Sequence, residues 1–134
     1  MKIREVVAGI IFDGDNVCLV RRSMSVGSDP GLWHCVTGYL EPRTSPRRQI
    51  LNELHEELGL ERSQIVKLSS YSPIRLSSQQ DFWIIHTFLV HTNRRDFVLN
   101  WENDDYRWLS TSAMPLESVS WLSHVVVAVG LGRN

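Results

Sequence analysis

The sequence predicts an α/β fold in which a mixed β-sheet is sandwiched between α-helices. Apolar, β-branched segments of strand length alternate with segments of helical character, in the order βββ-α-βββ-α. The first two strand-like segments are almost continuously apolar, which is typical of strands covered on both faces. A chain of 134 residues with 43% hydrophobic residues suits a single domain, residues 1–134.

The first part of the chain predicts three strands before a helix. Residues 3–12 and 17–22 are expected to form a hairpin, because an Asp-Gly-Asp-Asn turn separates them. Residues 23–31 contain two glycines, a proline and three serines and are therefore predicted to be a loop. Residues 32–37 are predicted to form a short third strand.

The following helix is marked at both ends. Ser45 is the expected N-cap, Pro46 suits the first helical position, and Gly59 suits a left-handed C-terminal cap. The apolar residues that predict its buried face are Ile50, Leu51, Leu54 and Leu58.

The second part of the chain predicts further strands and a closing helix. The strand-like segments are 64–71, 82–92, 97–101 and 104–109. Residues 72–80 are rich in serine and glutamine and are expected to form a mobile loop. Residues 117–129 are expected to form the helix, although three consecutive valines favour a strand.

Charge, hydropathy and cysteine content narrow the possible functions. A net charge of −1 argues against a nucleic-acid polymer as partner, which requires a basic surface. The longest apolar run, 125–131, is too short to span a bilayer, and charged residues near the start disfavour a signal peptide. Cys18 and Cys35 lie in apolar runs and are predicted to be buried free thiols. We therefore expect a cytoplasmic protein with no membrane partner.

Three glutamates on the central helix, Glu53, Glu56 and Glu57, are the first candidates for chemistry. Residues three and four apart share one face of a helix, so these carboxylates project together. Mg²⁺ prefers carboxylate oxygens and would turn their mutual repulsion into binding. On spacing alone, a solvated acidic helix face explains the same three residues.

The segment from Gly38 to Leu60, GYLEPRTSPRRQILNELHEELGL, resembles the signature of the Nudix hydrolases, a MutT-like family. The family pattern is Gly, five residues, Glu, seven residues, then Arg-Glu-apolar-any-Glu-Glu-any-Gly-apolar. Gly38 opens this pattern, and residues 53–60 close it at the required distance. Trp33, Glu41 and residues 106–109 are also similar to the family. The resemblance covers about residues 5–110 and implies the Nudix fold.

Two positions depart from the family pattern. Thr44 stands where the first glutamate is expected, and Asn52 stands where the arginine is expected. Loss of the arginine removes a cation that would orient the neighbouring carboxylate, and such losses cost about 10 to 100-fold in metal affinity or activity. Weakened turnover is therefore the expectation. A Nudix-fold nucleotide-binding module with weak or lost catalysis is the alternative.

The motif WHCVTG at 33–38 and the segment 101–109 are similar to one branch of the family. That branch includes pyrophosphohydrolases of dihydroneopterin triphosphate and of nucleoside triphosphates such as dATP. The resemblance implies hydrolysis of a diphosphate joined to an organic group, with Mg²⁺ or Mn²⁺ as cofactor and a nucleotide or pterin phosphate as the small-molecule partner. Dimers are common in the family, so a homodimer stays open.

The resemblance also implies roles for individual residues. The expected metal ligands are Glu53, Glu56, Glu57, Glu102 and the backbone carbonyl near Gly38. Glu53 and Glu102 are both candidates for the general base. The expected substrate contacts are Arg21, Arg22, Trp33 and Glu41.

Overall fold

The computed structural model describes residues 1–132 and shows a mixed β-sheet with one helix packed on each face. The strands are β1 (Lys2–Phe12), β2 (Val17–Arg22), β3 (Trp33–His34), β4 (Val36–Tyr39), β5 (Ile65–Ser77), β6 (Asp81–Thr92) and β7 (Asn103–Leu109). The helices are α1 (Pro46–Leu58) and α2 (Leu122–Ala128), with 3₁₀ turns at Arg62–Gln64 and Thr111–Ala113. The predicted α/β fold with a mixed sheet between helices is confirmed.

Strand β1 is the centre of the sheet. It pairs antiparallel with β2 and with β4, and parallel with β6 along its whole length. Strand β3 pairs with β2 on the same edge as β1, β7 extends the sheet beyond the other edge of β2, and β5 extends it beyond β6. Alternate side chains of β1 enter opposite cores: Val6, Ala8 and Ile10 pack on the α2 side, and Val7 and Ile11 pack on the α1 side. The predicted coverage of this strand on both faces is confirmed.

Helix α1 begins and ends where its sequence signals predict. The Ser45 side chain accepts a hydrogen bond from the Arg48 N–H at 3.1 Å, and Gly59 closes the helix with a φ of 64°. Ile50, Leu54 and Leu58 are completely buried against the sheet. This packing fixes the rotation of α1 and turns Glu53 and Glu57 toward the protein interior.

Two of the predictions for the second part of the chain are wrong. Residues 72–77 belong to β5 and do not form a loop, with a register shift between Tyr71 and Ile74 around Pro73. An edge strand tolerates both the polar side chains and the proline. Residues 97–101 are not a strand: Phe97 is buried between Tyr106 and Trp108, and the Val98 N–H donates to the Leu58 carbonyl at 3.0 Å.

Two further elements differ from the prediction in length. The predicted strand 32–37 is divided at Cys35 into β3 and β4. Helix α2 begins only at Leu122, because residues 117–119 pair with β3: the Trp33 N–H donates to the Glu117 carbonyl at 2.8 Å, and the Val119 N–H donates to the Trp33 carbonyl at 2.9 Å. Residues 117–119 of the predicted helix are therefore extended and hydrogen-bonded to β3, and the helix is shorter than predicted.

Within residues 1–132, neither helix is long and apolar enough to cross a membrane. Cys18 and Cys35 are both buried and free, which confirms that prediction.

Candidate active site

The contact between α1 and β4 places Glu53 against Gly38. A Cβ atom at position 38 would lie 2.2 Å from both Cδ and Oε2 of Glu53, which is far inside van der Waals contact. Only a residue without a side chain therefore leaves room for this carboxylate. The two predicted site residues are neighbours in space because helix and strand pack closely here.

Gln49 holds the Glu53 carboxylate from one turn earlier in α1. Its Nε2 donates to Oε2 of Glu53 at 2.9 Å, and its Oε1 accepts from the Glu41 backbone N–H at 3.0 Å. The Gln49 side chain is buried, with only 3% of the residue exposed. Gln49 was not among the predicted site residues, although an amide four positions before a carboxylate is a recognisable helix pair.

Three glutamates gather at this face of the molecule. Glu53, Glu56 and Glu102 each offer a carboxylate oxygen, and these three oxygens lie within 4.8 Å of one another. Glu102 precedes β7, and Asn100 holds it with a 3.1 Å bond from Nδ2 to its Oε1. The acidic cluster Glu53, Glu56 and Glu102 thus joins the helix to a distant segment of the chain.

Glu57 lies behind this acidic cluster. It is 3% exposed, and its Oε1 accepts a hydrogen bond from Asn103 Nδ2 at 3.0 Å. Within the described residues 1–132, its Oε2 is buried and has no hydrogen-bond partner. The structure therefore places Glu57 close to the predicted ligands but outside the set of three that converge.

Burial and like charges raise the pKa of two of these carboxyl groups. Burial is the largest cause of the raised pKa of Glu53, and hydrogen bonds from Glu57 and Gln49 oppose it. Burial also raises the pKa of Glu57 well above its usual value, and the charge of Glu102 adds to this effect. A hard divalent cation would suit this site. It would stabilise the negative charge of the converging carboxylates and could bind the buried oxygen of Glu57 that has no hydrogen-bond partner within the described residues.

A cleft of about 530 Å³ opens beside Gly38 and Glu102. Its aromatic walls are formed by Tyr39, Trp83 and Trp121, and its polar lining includes Arg4, Arg22, His34 and Asp81. A smaller cleft of about 310 Å³ is lined by residues 63–66, 93 and 94, none of which is acidic. The larger cleft is therefore the candidate substrate site.

Of the predicted substrate contacts, only Arg22 lies on the wall of this cleft. Its Nε donates to the Ser28 carbonyl at 2.9 Å, so the loop before β3 anchors the side chain. Arg21 instead forms an ion pair with Asp104 at 2.8 Å. The pairing of β2 with β7 shifts register between these two arginines, and the Arg21 guanidinium lies 5.8 Å from the Trp33 ring centre.

Trp33 and Glu41 lie away from the cleft lining. Trp33 is 5% exposed and belongs to the core on the α2 side, with the guanidinium of Arg107 4.9 Å from its ring centre. Glu41 is exposed in the loop before α1, where its backbone N–H bonds to Gln49. The aromatic residues that do line the cleft are Tyr39, Trp83 and Trp121, and neither Tyr39 nor Trp121 was among the predicted contacts.

Residues 2–128 match the family model of the NUDIX domain. The CTP pyrophosphohydrolase of Escherichia coli (strain K12) is 41% identical over 61 residues, which make up 46% of this chain and 44% of that protein. The matched region therefore spans less than half the length of that relative.

Solved structures show the same architecture. The MutT NUDIX hydrolase from Burkholderia pseudomallei superimposes with a TM-score of 0.81 at 14% identity, over 96% of this chain and 99% of that one. The dihydroneopterin triphosphate pyrophosphohydrolase of E. coli gives a TM-score of 0.70 at 18% identity, over 90% and 91% of the two chains. With the NUDIX domain model matched over almost the whole sequence and the fold shared, this chain belongs to the Nudix family.

Proposed function

We propose that this protein is a metal-dependent pyrophosphohydrolase that cleaves a diphosphate joined to an organic group. The observation that carries the proposal is the acidic cluster Glu53, Glu56 and Glu102, whose oxygens converge within 4.8 Å beside the large cleft. Carboxylates held this close repel one another, and a hard divalent cation relieves the repulsion by binding their oxygens. Membership of the Nudix family supports the same activity.

The residues present suit Mg²⁺ or Mn²⁺. Glu53, Glu56 and Glu102 would hold the ion, and Glu57 lies buried behind them. The backbone carbonyl near Gly38 is a further proposed ligand. When bound, such an ion neutralises phosphate charge and lowers the pKa of a bound water.

Glu53 and Glu102 are the two candidates for the general base that takes a proton from the attacking water. Each has one carboxylate oxygen engaged by an amide, Oε2 of Glu53 by Gln49 and Oε1 of Glu102 by Asn100. The other oxygen of each carboxylate would bind either the ion or the water, and the general base is the residue whose oxygen faces the water. Substitution of each residue in turn distinguishes them, since loss of the base lowers kcat even at saturating metal.

Arg22 is the proposed phosphate-binding cation. It shares the cleft wall with Gly38 and Glu102, and its bonds to Ser28 hold the guanidinium in one orientation. A guanidinium can bind phosphate oxygens with two parallel hydrogen bonds. Arg21 is excluded from this proposal because it is paired with Asp104.

We propose a nucleoside or pterin triphosphate as substrate, with a monophosphate and pyrophosphate as products. Tyr39 and Trp83, whose ring centres are 6.2 Å apart, supply aromatic surface for a planar heterocycle. The ion pair of Arg4 and Asp81 at 2.8 Å supplies polar groups beside them. The names of the CTP and dihydroneopterin triphosphate enzymes point to the same substrate classes. The cytosol is the proposed compartment, which agrees with two free cysteines.

A binding module with weak or lost catalysis is the second candidate function. Thr44 supplies no carboxylate, and Asn52 is exposed on α1 without the charge of the family's arginine. The two functions differ in one measurable property, because a binding module would hold the nucleotide without cleaving it.

The test is release of phosphate and pyrophosphate from dNTPs, CTP, dihydroneopterin triphosphate, ADP-ribose and dinucleoside polyphosphates, with Mg²⁺ or Mn²⁺. We expect turnover of at least one triphosphate with release of pyrophosphate, and loss of that turnover in Glu53→Gln. Glu117→Gln, which neutralises an exposed glutamate outside the acidic cluster, is the matched control. Tight nucleotide binding with no cleavage in wild type would establish the binding module instead.

A further inference from the structure

We infer that Gln49 is the positioning residue for Glu53 and replaces the arginine that the family pattern places at position 52. The inference rests on the proposed function, since it concerns the orientation of a proposed metal ligand. It explains how a chain that lacks this arginine still presents a fixed carboxylate.

The hydrogen bonds of Gln49 determine the orientation of its amide. The Glu41 backbone N–H can only donate, so at 3.0 Å it must face Oε1 of Gln49. The amide nitrogen then faces the Glu53 carboxylate at 2.9 Å, and this carboxylate can accept its hydrogen. Both ends of the amide are used, and the side chain is 97% removed from solvent. A buried amide with both partners in place has one stable arrangement.

Gln49 occupies the helix position that can reach Glu53. Residues four apart lie on the same face of an α-helix, whereas adjacent residues are rotated by about 100°. Gln49 and Glu53 are accordingly both buried, and Asn52 is exposed.

Glu53 is confined from two sides. The backbone of Gly38 lies against its side chain, leaving no room for even a methyl group, and the Gln49 amide engages Oε2. Without the amide, a partly desolvated carboxylate repelled by Glu56 and Glu102 would lose a hydrogen bond that stabilises its charge. Loss of such an outer-sphere partner commonly costs about 10 to 100-fold in metal affinity.

Gln49 also connects the helix to the loop that precedes it. The Glu41 N–H belongs to the segment between β4 and α1, where the family pattern places the glutamate that is Thr44 in this chain. The amide therefore links the conformation of this loop to the position of Glu53. Gln49 thus makes hydrogen bonds in the loop that contains Thr44 and in the helix that contains Asn52, the two regions in which the motif is incomplete.

The experiment compares Mn²⁺ binding by wild type, Gln49→Met and Asn52→Ala without nucleotide, measured from the electron paramagnetic resonance of free Mn²⁺. Methionine keeps the length and volume of glutamine and removes both hydrogen bonds. We expect Gln49→Met to weaken Mn²⁺ binding by about tenfold or more. Asn52→Ala, which removes an exposed amide from the same helix, should bind as wild type does. Raising Mg²⁺ should restore the kcat of Gln49→Met, which a merely structural defect would not allow.

The possible failures are distinguishable. No Mn²⁺ binding by wild type overturns the proposed function and this inference with it. Binding by wild type with Gln49→Met within twofold of it overturns the inference alone, as does equal weakening in Gln49→Met and Asn52→Ala. Gln49→Ala is measured in the same way, so a folding defect of the methionine variant leaves the test intact.

Discussion

At the scale of single residues, two buried side chains keep one polar atom without a partner. Within residues 1–132 these atoms are Oε2 of Glu57 and Nε2 of His34. Burial raises the pKa of Glu57 and lowers the pKa of His34 to about 3, so both effects favour the neutral form. His34 lines the cleft, where it packs edge-on against Trp121 with ring centres 4.4 Å apart. The protonation of these groups therefore contributes to how stability depends on pH.

His34 should make the fold sensitive to acid. Its pKa of about 3 in the folded protein lies below its ordinary value of 6.5, because burial disfavours the imidazolium. The unfolded chain thus binds more protons than the folded one between these values. The free energy of unfolding therefore contains a contribution from His34 that is fully present above pH 6.5 and is lost as the pH falls below this value. The loss is up to about 1.4 kcal/mol per pH unit.

Urea denaturation across this pH range, for wild type and His34→Gln, measures the effect. We expect a shallower fall of the unfolding free energy with acid in His34→Gln. His124→Gln, which replaces an exposed histidine of α2, should keep the wild-type slope. Equal slopes in wild type and His34→Gln would contradict the prediction.

At the scale of elements, the site depends on how closely α1 approaches β4. The helix is placed by its caps and its buried leucine and isoleucine side chains, and the strand offers Gly38 at the point of contact. The backbone of Gly38 does not require glycine for its own conformation, since its φ is not positive. Its role is to make space for Glu53.

Gly38→Ala should therefore impair the site more than the fold. The added Cβ would meet the far end of the Glu53 side chain, which can move at little cost in stability but leaves the acidic cluster. We expect Mn²⁺ affinity to fall by about tenfold or more, with a small change in the melting temperature. Gly27→Ala, where a Cβ meets no atom within 4 Å, is the matched control and should bind normally. Unchanged Mn²⁺ binding in Gly38→Ala would refute this account.

At the scale of the whole molecule, the sheet brings distant carboxylates together. Glu102 precedes β7, which reaches α1 through its pairing with β2 and through the bond from Asn103 to Glu57. A cation held by Glu53, Glu56 and Glu102 would tie these segments together. The folded state alone presents this arrangement, so binding must stabilise it.

Divalent metal should raise the melting temperature. At a free Mn²⁺ concentration of about 100 times Kd, we expect about 2.7 kcal/mol of added stability. Thermal denaturation with Mn²⁺ and with EDTA measures this difference. Glu102→Gln should reduce it, whereas Glu117→Gln, at an exposed position, should not. A melting temperature that is the same with Mn²⁺ and with EDTA would show that the three carboxylates do not bind the ion in the folded protein.

Helix α1 and the hairpin of β1 and β2 follow from local signals, and the structure confirms both. The errors at 72–77 and 97–101 have a common cause. Residues 72–77 form part of a strand, despite their polar composition, because they pair with β6. Residues 97–101 do not form a strand, despite their apolar composition, because Phe97 packs into the core. Strand pairing is a property of distant segments, so composition alone predicts it poorly.

The same division applies to the site. Helical spacing suffices to group Glu53, Glu56 and Glu57 on one face, because 3.6 residues per turn is a local property. Packing against the sheet then buries Glu57 and leaves Glu56 exposed to solvent. Glu102, rather than Glu57, completes the set of three converging carboxylates. Packing also directs Arg22 rather than Arg21 to the cleft, whereas the Gln49 partner of Glu53 follows from the four-residue spacing within α1. Backbone periodicity thus sets which side chains can act together, whereas desolvation and hydrogen bonding between distant elements select those that do.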